Sequence, residues 1–567
     1  MNLRKKLNDE TLTLRKRKHK QDLFARRSIY INDRERHQIC PLKLKGIPET
    51  ILEKFRINPQ DDNTIKITMK YLNSKELNEI KFGAFLLRRF FMELTMYDAE
   101  LNKNNEKLDY KIDKFLESKV IESVGKVLTV ESNIDIISEL TWALVNITYF
   151  DAEKCGSDYI KEFMNKTYMD IFYKLLKMGD NEILSNLYDF LVNCVIENNE
   201  FTEFIFSDEN FIRLCIMKYL EQSKPDRLEQ AAKKSAIIFF VSLSKISNLF
   251  NEKQKTTFFK IFQNFLGVKF DSQILLYVII GIRYLFSYDS TKEKTVFNLI
   301  KKNNYDIFDK LFTTFNDMYQ VDEKFPAEYA LFNISNIITQ FIKLAEETDV
   351  VILVKNTQLI NFIEYFFQTI YLKDSKNLLI DILVNLSHHT SNVVLNMIQG
   401  RDNFVKTIKN NLNDNDFNIK FKFVEIVYSM LSLLSLDINI ILYKNEIIEH
   451  LIKVNLPFEE EKTCLKYVLS SILYFINSIK PLIDKYKIEI INELIKIGIL
   501  NGLENMTTRF DEEHLFIINE INSEMKKILG NENNTTPSEN EIKSNEIKND
   551  NQNNNINTNP FLLTKNI

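Results

Sequence analysis

Apolar residues return along this chain at helical spacing rather than in the alternation of a half-buried strand. In the stretch Leu140-Thr141-Trp142-Ala143-Leu144-Val145-Asn146-Ile147-Thr148, Leu140, Leu144 and Ile147 fall on one helical stripe. Trp142 and Asn146 stand at i and i+4, so they are neighbours on another face. The same spacing predicts helices over residues 81–90, 114–127 and 467–476.

The pattern around Asn146 returns downstream and places Asn193, Ser242, Tyr284, Asn336, Asn385 and Ser429 in its register. The steps are 47, 49, 42, 52, 49 and 44 residues. A period of about 40–50 residues is that of two or three stacked helices per repeat. Such a unit cannot bury its apolar face alone, so neighbours must share a continuous core. The predicted fold is all-α, an armadillo/HEAT-type right-handed α-solenoid. Its innermost helices should line one concave face, with the recurring asparagines as a ladder along it.

Composition narrows the chemistry. Among 567 residues there are 11 Gly and 9 Pro, too few for glycine-rich phosphate loops, tight hairpins and α/β turns. The 43 Phe and 23 Tyr supply an extended core. The longest apolar runs, residues 274–282 and 236–243, fall short of the ~18 residues a membrane span needs, and no membrane insertion is expected. The first twenty residues are charged and carry no apolar signal-peptide segment. Cys40, Cys155, Cys194, Cys215 and Cys464 are scattered without C-x-x-C spacing and read as reduced thiols of a cytosolic or nuclear protein. His388 and His389 are adjacent and cannot share one helical face. No catalytic, cofactor or metal constellation stands out, and no enzyme is predicted.

The net charge of −4 hides an asymmetry. The N-terminal residues up to Lys45 are strongly basic, with Arg4-Lys5-Lys6 followed by Leu14-Arg15-Lys16-Arg17-Lys18-His19-Lys20-Gln21-Asp22-Leu23-Phe24-Ala25-Arg26-Arg27. Their apolar stripe of Leu3, Leu7, Leu14 and the Leu23/Phe24 pair is too thin to bury alone. By composition this is an arm that folds on an acidic partner, a nucleic-acid arm, a membrane-surface helix or an import signal. From Gly530 onward Asn, Glu, Lys and Ser dominate, which predicts a disordered tail. The expected organisation is a basic arm over 1–50, an array of about ten repeats over 70–529, and a tail over 530–567.

Residues 14–27 resemble, without a gap, the importin-beta-binding segment of importin alpha, and Trp142-Ala143-Leu144-Val145-Asn146 is similar to that family's Trp-Ala-Leu-x-Asn repeat word. The resemblance implies a nuclear import adaptor that shuttles between cytoplasm and nucleus. Arg4, Lys5, Lys6, Leu14, Arg15, Lys16, Arg17, Lys18, Lys20, Arg26 and Arg27 would bind importin beta. Trp142, Asn146, Asn193, Glu197, Tyr284, Asn336 and Asn385 would form the groove for basic nuclear localisation signals in cargo proteins. Adjacent aromatic faces would hold Lys or Arg stems, asparagine amides the ligand backbone, and Glu197 a lysine head. Residues 501–529 resemble the closing repeat, the family's contact with its export receptor and Ran-GTP.

Two departures qualify this expectation. The tryptophan register holds Asp189, Ile238, Ile280, Phe332, Asp381 and Glu425 in later repeats, and Ala25 replaces the lysine of the family's signal-mimicking Lys-Arg-Arg. They motivate an alternative, an armadillo scaffold that no longer reads general signals and serves a narrow set of protein partners. Nucleic-acid binding through the arm is a weaker third reading.

Overall fold

The computed structural model describes residues 62–530 apart from 101–116, 149–158, 222–226, 267–271, 288–293, 321–323, 370–372, 457–460 and 507–511. The expected arm and tail lie outside the described residues. Among the described residues every regular element is a helix.

Helix ends follow from capping chemistry. Asn133 accepts the amide protons of Asp135 and Ile136 at the start of the Trp142 helix, at 3.0 and 3.3 Å. Asp180 does the same for Glu182 and Ile183 before the next long helix, both at 3.0 Å. Asn251 and Gln254 form a reciprocal capping box. The helix Lys166–Met178 ends at Gly179, whose φ of +69° lies in the left-handed region that glycine enters without strain. The predicted helix over 114–127 is found at Val120–Val130, starting after the left-handed Lys119.

One helix of each repeat belongs to a series that recurs along the chain. Its members are α1 (Leu77–Glu100), α2 (Ile134–Ile147), α3 (Asn181–Glu197), α4 (Arg227–Leu243), α5 (Ser272–Ser287), α6 (Lys324–Leu344), α7 (Lys373–Ser387), α8 (Phe417–Ser432), α9 (Lys462–Ser478) and α10 (Glu512–Gly530). The chain divides into two compact units, 1–385 and 386–567. In the first, each of α1 to α5 packs on the next member, and Ser335 Oγ on α6 donates to Leu378 O on α7 at 3.3 Å. In the second, α8 packs on α9 and α9 on α10. Shorter helices fill the spaces between series members, as Lys166–Met178 does by packing on Val120–Val130 and α3.

The core is aromatic, as the 43 Phe predict. In the first unit the fully buried Phe190 ring lies 5.0 Å from Phe163 and 5.5 Å from Phe172. Further along, Phe341 is ringed by Phe286, Phe297, Tyr305 and Phe308 at 5.0 to 6.4 Å. Each such side chain contributes about 1.5–3 kcal/mol by leaving water. In the first unit two glycines mark where helices approach too closely for a side chain. A Cβ on Gly83 would sit 2.5 Å from the Leu72 backbone nitrogen, and one on Gly281 would sit 2.7 Å from the Phe262 ring. Cys194, Cys215 and Cys464 are buried and form no disulfide among the described residues; Cys40 and Cys155 lie outside the described residues. No single helix among the described residues is long and apolar enough to cross a membrane.

Candidate peptide-binding face

The expected face is carried by the series helices, so its chemistry is read where each helix meets the next. Trp142 on α2 does not stand open. It is 5% exposed, and the guanidinium of Arg88, on α1, lies 4.9 Å from its ring centroid. The same guanidinium is 5.5 Å from Phe85. Arg88 Nε donates to Glu139, one helical turn before Trp142, and both members of this ion pair are buried. Two aromatic faces and a carboxylate therefore surround a basic side chain of the protein itself, an arrangement in which each charge is compensated and desolvated together.

The asparagines divide into two kinds. Asn146 is fully buried, and its Nδ2 donates to Arg88 O at 3.3 Å; its Oδ1 meets no donor among the described residues. Asn193, also buried, donates to Val145 O and to Thr148 Oγ1, both at 3.2 Å. These two amides tie α2 to α1 and α3 to α2 instead of facing outward. Asn336 and Asn385 are half-buried and donate to carbonyls of their own helices, Phe332 O and Asp381 O, each at 2.6 Å. Their position, unlike that of the first pair, leaves surface within reach of a ligand. Glu197 ends α3; its side chain lies outside the described residues.

The arginine device recurs. Arg283 on α5 lies 5.3 Å from the Phe332 ring on α6 and 5.9 Å from Tyr284, and its Nη1 donates to Asn333 Oδ1 at 2.9 Å. Tyr284 is half-buried beside it. The structure thus brings Trp142, Asn146 and Asn193 into one run of contacts, and Tyr284 towards the Asn336 helix, which in turn contacts α7, the helix of Asn385. Sequence reading missed Arg88, Glu139, Arg283 and Asn333. The available signal was register: Phe85-Leu86-Leu87-Arg88-Arg89 and Ile280-Gly281-Ile282-Arg283-Tyr284 both carry arginine fourth in the five-residue word whose first place is Trp142 in α2.

In the second unit the corresponding face is built from rings alone. Tyr428 on α8 stacks on Tyr467 of α9 at 4.6 Å and 17°. Phe421 lies 5.6 Å from Tyr467 and 6.0 Å from the exposed Phe417. Burial and the neighbouring Tyr474 push the Tyr428 phenol up to about 12, so it stays protonated at neutral pH. Nearby, His388 pairs with Ser429 Oγ at 3.2 Å and lies 3.4 Å from Glu425. Ser429 is 3% exposed, so this Ser, His and Glu trio holds α8 to His388 within the second unit and offers no reachable nucleophile.

Elsewhere, a shallow hollow of about 700 Å³ is lined by Asp170, Tyr173, Lys174, Lys177 and Met178. Its Lys174 donates to Leu128 O and Thr129 O, closing the end of the helix Val120–Val130. Among the described residues no group of three or more His, Cys, Asp or Glu could hold a metal ion.

The helix series and its period decide the architecture. The fold is an α-solenoid of armadillo type. No protein-family model and no curated protein matches the sequence. Among solved structures, the chain is similar to one reported for a phosphorylation switch controlling the interaction between cadherin and beta-catenin. The identity is 9% and the TM-score 0.48, covering 82% of this chain and 84% of the other. It is also similar to a designed armadillo repeat protein, at 13% identity and a TM-score of 0.35, covering 48% of this chain and 98% of that one.

Proposed function

We propose that this protein is an interaction scaffold rather than an enzyme, and that the series helices receive an extended segment of a partner protein. The observation that carries this reading is the Arg88 guanidinium seated between Phe85 and Trp142. A face built to read lysine-rich signals needs that slot empty. Here it is filled, and the amide of Asn146 beside it is turned to the backbone of α1. The favoured ligand is therefore a narrow class of peptides docking around Tyr284, Asn336 and Asn385, where aromatic and amide groups remain half-buried. A display library of random peptides, selected on the full chain, tests this. Enrichment of sequences without clustered Lys or Arg, weakened by Asn336→Ala or Asn385→Ala, is expected. Enrichment of clustered lysines that depends on Trp142 would contradict it.

A second reading rests on residues 14–27. Their likeness to the importin-beta-binding segment supports an import adaptor that takes cargo in the array, binds importin beta through Arg15, Lys16, Arg17, Arg26 and Arg27, and shuttles between cytoplasm and nucleus. Its cargo would carry basic signals, and its release would use Ran-GTP and an export receptor. Salt-sensitive retention of importin beta by the full chain, lost on deletion of residues 1–50, is the expected result. Equal retention without the arm, or none at low salt, would remove this reading while leaving the scaffold intact.

A further inference from the structure

Arg88 and Arg283 occupy the same place in two distant repeats. Each is the fourth residue of its register word, one position before the asparagine place. Each lays its guanidinium on the aromatic residue that opens the word of the following series helix, Trp142 at 4.9 Å and Phe332 at 5.3 Å. Each also touches a second ring, Phe85 or Tyr284, on its own helix. Each is held by a polar group of the following helix, Glu139 for Arg88 and Asn333 for Arg283.

Two rings and a hydrogen-bond acceptor are the features by which a protein surface holds a basic side chain from a partner. Their repetition with an internal arginine in both places is not required for helix packing, because an apolar residue fills that place at Val145, Val192, Val241 and Val384. We infer that Arg88 and Arg283 are resident stand-ins for ligand cations, closing two otherwise competent slots and setting the partner specificity of the first unit against basic side chains. The inference deepens the scaffold reading above, but its test requires no natural partner.

The chain holds one tryptophan, so emission from Trp142 reports on the first slot alone. The full chain and Arg88→Ala are titrated with N-butylguanidinium while Trp142 emission is followed, and with labelled octalysine followed by anisotropy. In the variant, butylguanidinium should shift the emission saturably and octalysine should bind about tenfold or more tightly than to the original protein. The original protein should show no emission response.

Loss of one positive charge could by itself favour octalysine, so Arg213→Ala, on the exposed side of the helix Glu209–Glu221, serves as the control. Its octalysine affinity should match that of the original protein. A folded Arg88→Ala protein that ignores butylguanidinium, or that gains no more than Arg213→Ala, would overturn the inference. Should Arg88→Ala fail to fold because Glu139 is stranded, Arg283→Ala decides, since its partner Asn333 is neutral. The same tenfold gain for octalysine is expected there, and its absence would overturn the inference. Random-peptide selection on the unaltered chain is read separately, so a failed scaffold reading and a failed slot remain distinguishable.

Discussion

In the first unit an aromatic ring of one series helix meets a cation from the helix before it; in the second unit it meets another ring. Trp142 takes Arg88 and Phe332 takes Arg283, whereas Tyr428 and Phe421 both stack on Tyr467. The buried Arg88 guanidinium demands a compensating charge, which Glu139 supplies; the half-buried Arg283 is fixed by the neutral amide of Asn333, so both contacts are specific in position. Stacked rings need no such partner, and they remain partly exposed. Series helices thus meet in the first unit through an arginine held by a polar partner, and in the second through stacked rings.

The contrast breaks most sharply at Glu139. Glu139→Ala strands the buried Arg88 and should lower unfolding free energy by about 3–5 kcal/mol in denaturant titration, seen through Trp142 emission. A loss of only a few tenths would mean that the pair is not buried in solution.

Asp349 is a second buried carboxylate of the first unit, paired with the half-exposed Lys301. Asp349 accepts from Lys301 Nζ at 2.8 Å and from Tyr305 Oη at 2.9 Å. Burial pushes its carboxyl up, but the Lys301, Tyr305 and Glu346 hydrogen bonds and the lysine charge outweigh this and hold it below the ordinary carboxylate range. Because its folded pKa is depressed, its stabilisation is complete above the unfolded value of about 4 and is lost as pH falls through the lower folded value. Asp349→Asn should cost about 1–3 kcal/mol at pH 7 and flatten that acid limb. An unchanged acid limb in the variant would count against the assignment.

In the ring-built region the effect should be smaller. Tyr467→Ala removes contacts with Phe421 and Tyr428 and should cost about 0.5–1.5 kcal/mol per pair beyond lost burial, with no change in salt dependence. Smallest of all is Asn385→Ala, whose amide only returns to its own helix; the stability change should stay within about 0.5 kcal/mol, while peptide selection on the chain changes.

Much of the fold was legible. The helical stripe through Leu140, Leu144 and Ile147 and the recurrence of Asn146 at 40 to 50 residues were enough to predict stacked helices, because period and patterning are local properties. The face was legible only in part. An asparagine reads the same whether it ties two helices or waits for a ligand, so Asn146 and Asn193 were expected on an open ladder that the structure closes against α1 and α2. Arg88 was overlooked because its partner Trp142 lies 54 positions on, and only the register of two repeats, not any short motif, brings them together.

The Trp142 slot is closed by the protein's own Arg88. Quenching of the single tryptophan by iodide and by acrylamide tests it most directly. A closed slot gives blue-shifted emission, little quenching by either agent, and no change when octalysine is added. Red-shifted emission quenched freely by iodide, and protected on adding octalysine, would show an open slot and contradict it.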